Sequence, residues 1–167
     1  MQADKLAILQ SMPIFGGVGD EVLELLASQS QTATITKGSF FFREGDQADA
    51  LYILEKGRVI IVKNWQGCAY ELGSLSSGDC FGEMALIEMS RRSASVKAIE
   101  NCQGMKLTPE HLYEVYKNHL RQYAIIQMNM AREISRRLRE ADQRLFLTKV
   151  AQQVNGEDTP YYTFKSL

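Results

Sequence analysis

Histidine is nearly missing from this sequence: His111 and His119 are the two, and both fall in its helix-patterned last third. A metal site of the kind that β-barrels build from strand histidines is thereby ruled out. Cysteine is scarce as well, with Cys68, Cys80 and Cys102 in no C-x-x-C spacing. An odd, scattered set excludes a disulfide framework and reads as free thiols of a reducing compartment. No cysteine cluster stands near the start, which argues against an iron–sulfur centre there. Neither sign of charge dominates: 19 Lys and Arg face 20 Asp and Glu, for a net −1. A chain so balanced does not act on its partners as a polyelectrolyte. Apolar runs are short, none near the roughly 18 residues a membrane span needs. Met1-Gln2-Ala3-Asp4-Lys5 lacks the apolar core of a signal peptide. The expectation is a soluble, cytoplasmic protein with no membrane partner. Without a Ser-His-Asp order or an H-E-x-x-H motif, no enzyme is expected, and no catalytic residue, metal or cofactor.

What is present is a core-forming texture. Hydrophobic residues make up 45% of 167, enough for one folded domain with an appendage. Ile8, Leu9 and Met12 stand at helical spacing before Pro13. Asp20 reads as the N-cap of a helix to about Ala27, with Val22, Leu23, Leu25 and Leu26 on its apolar side. From Thr32 the pattern turns to short β runs, over 32–36, 39–43, 51–54, 58–63, 69–72, 80–81, 93–99 and 104–107. Turns such as Glu44-Gly45-Asp46, Lys56-Gly57 and Gly78-Asp79 separate them, which predicts a small β-barrel or jelly roll. Thr108-Pro109-Glu110 opens a helix to about His119.

Leu120, Ala124, Gln127, Ala131, Ile134, Leu138, Ala141 and Leu145 then recur at alternating spacings of four and three, all apolar but Gln127. That is a heptad seam, and it has two readings: pairing with a second copy, or packing on the chain's own barrel. The fold class is therefore α+β, a β-barrel or jelly roll with short N-terminal helices and a long C-terminal helix. The expected division is 1–118 for the barrel with its helices, 119–148 for the long helix and 149–167 for a polar tail.

The chemistry concentrates in Phe81-Gly82-Glu83-Met84-Ala85-Leu86-Ile87 and in Arg92-Ser93-Ala94-Ser95-Val96. Gly82 allows a tight turn and close approach of a ligand to the backbone. Glu83 can accept hydrogen bonds from hydroxyls, and the short helical run after it presents free N–H groups to an anion. Arg92 adds a planar cationic fork suited to phosphate, with Ser93 as a hydroxyl donor and Ala94 leaving room. Successive residues on an extended chain point opposite ways, so one of Arg91 and Arg92 enters the site and the other faces solvent. A carboxylate for a ribose beside a cation and amides for a phosphate imply a nucleotide that carries both close together.

These residues resemble the phosphate-binding cassette of cyclic nucleotide-binding domains, F-G-E-x-A-L followed by R-[AST]-A-[ST]-V. The turn glycines at 45, 57, 78 and 82 extend the resemblance over roughly residues 12–147. The resemblance implies that cAMP, or secondly cGMP, is the ligand. It selects Arg92 over Arg91 for the phosphate, and gives Glu83 to the ribose. Ile61, Leu72 and Met84 match positions lining the base slot, with ordinary barrel core as their other reading. Arg137 and Leu138 fall where relatives place a base contact or lid, with a solvated helix arginine as the other reading for Arg137. It further implies a homodimer through residues 120–145 and an unidentified output protein. Relatives that are transcription factors follow the long helix with a helix-turn-helix domain, and Val150–Leu167 is too short and polar for one. Arg132, Arg136, Arg137, Arg139, Arg144 and Lys149 are interleaved with Glu133, Glu140 and Asp142, so DNA is not an expected partner of this chain. A regulatory sensor is the first functional reading. A ligand-free dimeric interaction protein and a truncated transcription regulator are the others.

Overall fold

The computed structural model describes residues 2–154, which divide into two compact units, the first ending at Met130 and the second beginning at Ala131. The first unit opens with helix α1 (Gln2–Ser11), a 3₁₀ turn (Pro13–Phe15) and helix α2 (Asp20–Gln29). Gly19, not Asp20, occupies the cap position of α2; Asp20 is its first helical residue, where its charge still suits the helix N-terminus. Eight strands follow: β1 (Gln31–Ile35), β2 (Phe40–Phe42), β3 (Leu51–Lys56), β4 (Arg58–Trp65), β5 (Cys68–Ser76), β6 (Cys80–Phe81), β7 (Ser95–Ala98) and β8 (Cys102–Leu107). The short helix α3 (Glu83–Ile87) interrupts them between β6 and β7. The strands pair antiparallel in two sheets, in the orders β1-β8-β3-β6 and β2-β7-β4-β5. This is the jelly roll of an α+β chain that the strand spacing predicts.

Strand β3 shows how the sheets bury two separate cores. Its first four residues, Leu51-Tyr52-Ile53-Leu54, are all buried. Alternate side chains leave a strand on opposite faces, so Leu51 and Ile53 join one cluster while Tyr52 and Leu54 join another. The first cluster packs that sheet under Leu9, Phe15, Leu26 and Val115 from the helices. Burying a side chain of this size contributes roughly 1.5–3 kcal/mol. The second cluster fills the barrel with Tyr52, Phe81, Val59 and Val96. Phe41 stands edge-on to Tyr52 and Phe81, with ring centroids 5.4 and 5.0 Å away.

Helix α4 (Pro109–Asn118) begins at Thr108, whose backbone N–H donates to His111 Nδ1 at 3.3 Å. His111 thus serves as a cap acceptor. Helix α5 runs Leu120–Val154, six residues beyond the expected end at 148; residues 155–167 of the expected tail lie outside the described part. Within the first unit its opening turns send Ile126 and Met130 into the helical cluster, and Asn129 Nδ2 donates to Gly16 O at 2.8 Å. These inward residues are not the heptad positions. Leu120 and Ala124 are exposed, as are Leu138, Ala141 and Leu145 in the second unit, and Gln127 and Ile134 are half-buried. Among the described residues no helix is long and apolar enough to cross a membrane.

Candidate functional site

The cassette begins where β6 ends. Phe81 stacks on Tyr52 at 5.6 Å and 14° between planes, anchoring the strand in the barrel. Gly82 then turns the chain at φ +86°, in the left-handed region, and caps α3. A Cβ at this position would lie 2.6 Å from Arg92 Nη1, 3.2 Å from Ala50 O and 3.3 Å from the Phe42 ring. Conformation and space both demand glycine here. Directly after it Glu83 is buried, 2% exposed, at the first position of the helix.

Arg92 is the second buried charge, also 2% exposed. Its Nη1 donates to Gly82 O at 2.9 Å, and its Nη2 to Ala50 O at 2.7 Å and Asp49 Oδ1 at 3.1 Å. The guanidinium lies 4.0 Å over the Phe42 ring, a cation–π contact that favours a desolvated cation. Its Nε is buried without a hydrogen-bond partner. The backbone around it is fixed by a distant turn: Arg92 N donates to Asp46 O and Gly45 N donates to Arg92 O, both at 2.9 Å. Glu44 N donates to Ser95 Oγ at 2.9 Å, so the Glu44-Gly45-Asp46 turn and the Arg92-to-Ser95 run are stitched together. Arg91 faces outward and donates to Gly45 O at 2.9 Å.

A third charge completes the cluster. Asp49 sends its other oxygen, Oδ2, to Lys106 Nζ at 2.6 Å. Burial pushes the Asp49 carboxyl up, but the Lys106 and Arg92 cations outweigh it and hold the carboxyl below its usual value. The same bond raises Lys106. Burial, then the Asp49 charge, push the neighbouring Tyr52 hydroxyl up.

The structure gathers Gly82, Glu83, Met84, Ala85, Arg92, Ser93 and Ala94 along one turn–helix–turn path. Ala85 is buried, Ala94 half-buried, and Met84 and Ser93 exposed. Ile61, half-buried on β4, pairs with Val96 of β7 and so shares the sheet that carries the cassette's last residues. Leu72 is 51% exposed and falls where the β4–β5 register slips, between Glu71 opposite Val62 and Gly73 opposite Ile61. As the extra residue of a bulge it is aimed independently of the ladder. Arg137 and Leu138 belong to the second unit, where Arg137 Nε donates to Glu133 Oε1 at 2.9 Å and Leu138 is exposed. A cavity of about 630 Å³ lies beside the cassette, between Ile87 and Met89 and the tyrosines Tyr113, Tyr116 and Tyr123. Among the described residues no three His, Cys, Asp or Glu side chains are placed to hold a metal ion.

Asp49 and Lys106 escape a reading of the sequence alone. The signal for Asp49 is slight: an acid two residues before the start of β3, close to a turn already tied to the cassette. Lys106 becomes its neighbour through the β3–β8 pairing, in which Lys106 stands opposite Tyr52.

A family model described as "Cyclic nucleotide-binding domain" matches residues 32–119. Over 140 residues the chain is 33% identical to the Cyclic AMP receptor protein of Thermus thermophilus, covering 83% of this chain and 63% of that protein. The crystal structure of Thermus thermophilus Catabolite Activator Protein is similar at a TM-score of 0.70 and 33% identity, over 82% of this chain and 63% of that one. The regulatory domain of Toxoplasma gondii PKA, co-crystallised with cAMP, is similar at a TM-score of 0.69 and 26% identity, over 81% of this chain and 50% of that one. The chain thus spans less than two thirds of the length of these relatives.

Proposed function

The chain belongs to the cyclic nucleotide-binding domain family, and from that premise we propose that it is a cyclic nucleotide sensor. One observation carries the reading: an acid and a base, Glu83 and Arg92, are both 2% exposed on either side of a glycine too cramped for any side chain. Buried ions are expensive unless they are paired and hydrogen-bonded, so two of them at one turn make a built polar site and not a stretch of ordinary core. In this proposal Glu83 accepts from the ribose hydroxyl. Arg92 and Ser93, with the amides that open α3, take the cyclic phosphate. Ile61, Leu72 and Met84 border the base. Cyclic AMP is the first ligand and cyclic GMP the second. The chain acts by binding, without catalysis, in the cytoplasm, and it passes the signal to an output protein through α5.

The second unit supports a homodimer as part of this reading. Leu138 and Leu145 are 60% and 55% exposed on the predicted seam, where a second copy would cover them. The signal is one of linkage: the nucleotide favours one of two arrangements of the chain by its difference in affinity for them.

A ligand-free interaction protein is the other reading. It is favoured by the acceptors that Arg92 Nη1 and Nη2 already have within the chain. Calorimetric titration with cAMP, cGMP and AMP, with the monomer–dimer state recorded, decides between them. Saturable heat with a cyclic nucleotide and a weaker response to AMP is the expected result. No heat with either cyclic nucleotide overturns the sensor.

A further inference from the structure

Asp49 is shared unequally. Its Oδ2 meets Lys106 Nζ at 2.6 Å, while its Oδ1 meets Arg92 Nη2 at the longer 3.1 Å. The Arg92 side chain is 1% exposed, Lys106 25% and Asp49 56%. The carboxylate therefore bridges a deeply buried cation and a partly exposed one. It is the Lys106 contact that holds it more closely.

That division matters for an anion arriving at Arg92. A guanidinium paired with one carboxylate is a neutral couple and attracts phosphate weakly. With Lys106 added, the three groups carry a net positive charge, and Asp49 is drawn away from Arg92 rather than toward it. We propose that Lys106 is a positioning residue that raises the affinity of the cassette for its anionic ligand by sharing Asp49 with Arg92. It acts on the ligand through Asp49 and Arg92, without touching it. The inference rests on the cyclic nucleotide reading of the site and adds a determinant outside the cassette motif. The strand register supports it: Lys106 stands opposite Tyr52 on β3, three residues beyond Asp49, so the fold itself brings the ammonium to the carboxylate. The raised Lys106 and lowered Asp49 agree with this geometry.

The test is a calorimetric titration of cAMP into five proteins: wild type, Lys106→Met, Lys106→Arg, Asp49→Asn, and Asp49→Asn combined with Lys106→Met. Methionine keeps most of the aliphatic stem and removes the charge. Lys106→Met is expected to weaken cAMP binding about three- to tenfold, the scale of losing one charge near a partly screened site. Lys106→Arg is expected to restore affinity to within about twofold, since the cation is kept. In the Asp49→Asn background the same Lys106→Met change is expected to alter affinity by less than about twofold, because the carboxylate that transmits it is gone. Thermal unfolding of each protein without ligand separates affinity from folding. Unchanged affinity in Lys106→Met overturns this inference alone, and so does an equal loss in both backgrounds. A wild type that binds no cAMP overturns the sensor reading and this inference together.

Discussion

Leu51 and Ile53 leave β3 on one side and Tyr52 and Leu54 on the other, and the two regions they enter are unlike. The helical side is mainly aliphatic, with Leu9, Leu26, Ile126 and Met130 near zero exposure and no Asp, Glu, Lys or Arg among the described residues of the cluster. The barrel side is aromatic, and the Arg92 guanidinium lies over Phe42, a ring packed at its edge. The first region has the chemistry of a packed core, where volume decides stability. The second borders a cation held by the Phe42 ring and two carbonyls, an arrangement that packing alone does not require. The comparison teaches where to look for function in a fold with two cores: in the one that accepts a charge.

The difference can be broken from either side. Leu26→Ala removes a side chain with 0% exposure from the aliphatic region, and a loss of about 3–5 kcal/mol in unfolding free energy is expected. Denaturant unfolding measures it, and the protein that remains folded should bind cAMP with near wild-type affinity. A large loss of affinity in the folded fraction would mean that the helical core belongs to the site. Arg92→Ala is the opposite experiment. Binding is expected to weaken by about 2–4 kcal/mol, as for a buried charge pair that loses a partner. The change in unfolding is expected to be smaller, about 1–2 kcal/mol, for two carbonyls left unbonded. If the unfolding loss exceeded the binding loss, Arg92 would be a structural ion and the comparison would fail.

How far the sequence foretold this contrast depends on the range of the interactions. The turns and strands are local, and the short runs between glycines place all eight strands near their observed positions. That Arg91 and Arg92 point apart is local too, since neighbours on an extended chain alternate; alternation leaves open which one turns inward, the family resemblance selects Arg92, and Arg92 is inside and Arg91 outside. Asp49 and Lys106 depend on a pairing between strands more than fifty positions apart, and nothing in either segment announces it. Asp20 reads as the cap of α2 and is instead its first helical residue, because Asp favours both the cap and the first turn. The heptad pattern identified a face of α5, but the residues that pack its opening turns, Ile126 and Met130, lie off that face. A seam and a core-facing stripe overlap on one helix, and periodicity weighs them alike.

The smallest expected effect sharpens the comparison by pH, because Arg92 beside the barrel is tied to a carboxylate and an ammonium that titrate. The folded-state value of Asp49 lies below its ordinary one, so its contribution is present above the ordinary carboxylate range and is lost as pH falls through the lowered value. Lys106 is raised, so its contribution is present below its ordinary value and is lost as pH climbs through the raised one. The pair is thus broken by acid at the carboxylate and by alkali at the ammonium, with a plateau between. Asp49 is 56% exposed, and solvent screening limits the effect to about 0.3–1 kcal/mol. Unfolding free energies of wild type and Asp49→Asn, measured from pH 3 to 7, should converge toward the acid end by that amount. Glu110 and Glu133 also have lowered values, but they are present in both proteins and cancel in the difference. A difference that stayed constant across the range would show that the two cations do not lower the Asp49 carboxyl on folding. The charged character of the barrel region would then reduce to Arg92, Glu83 and the cassette backbone.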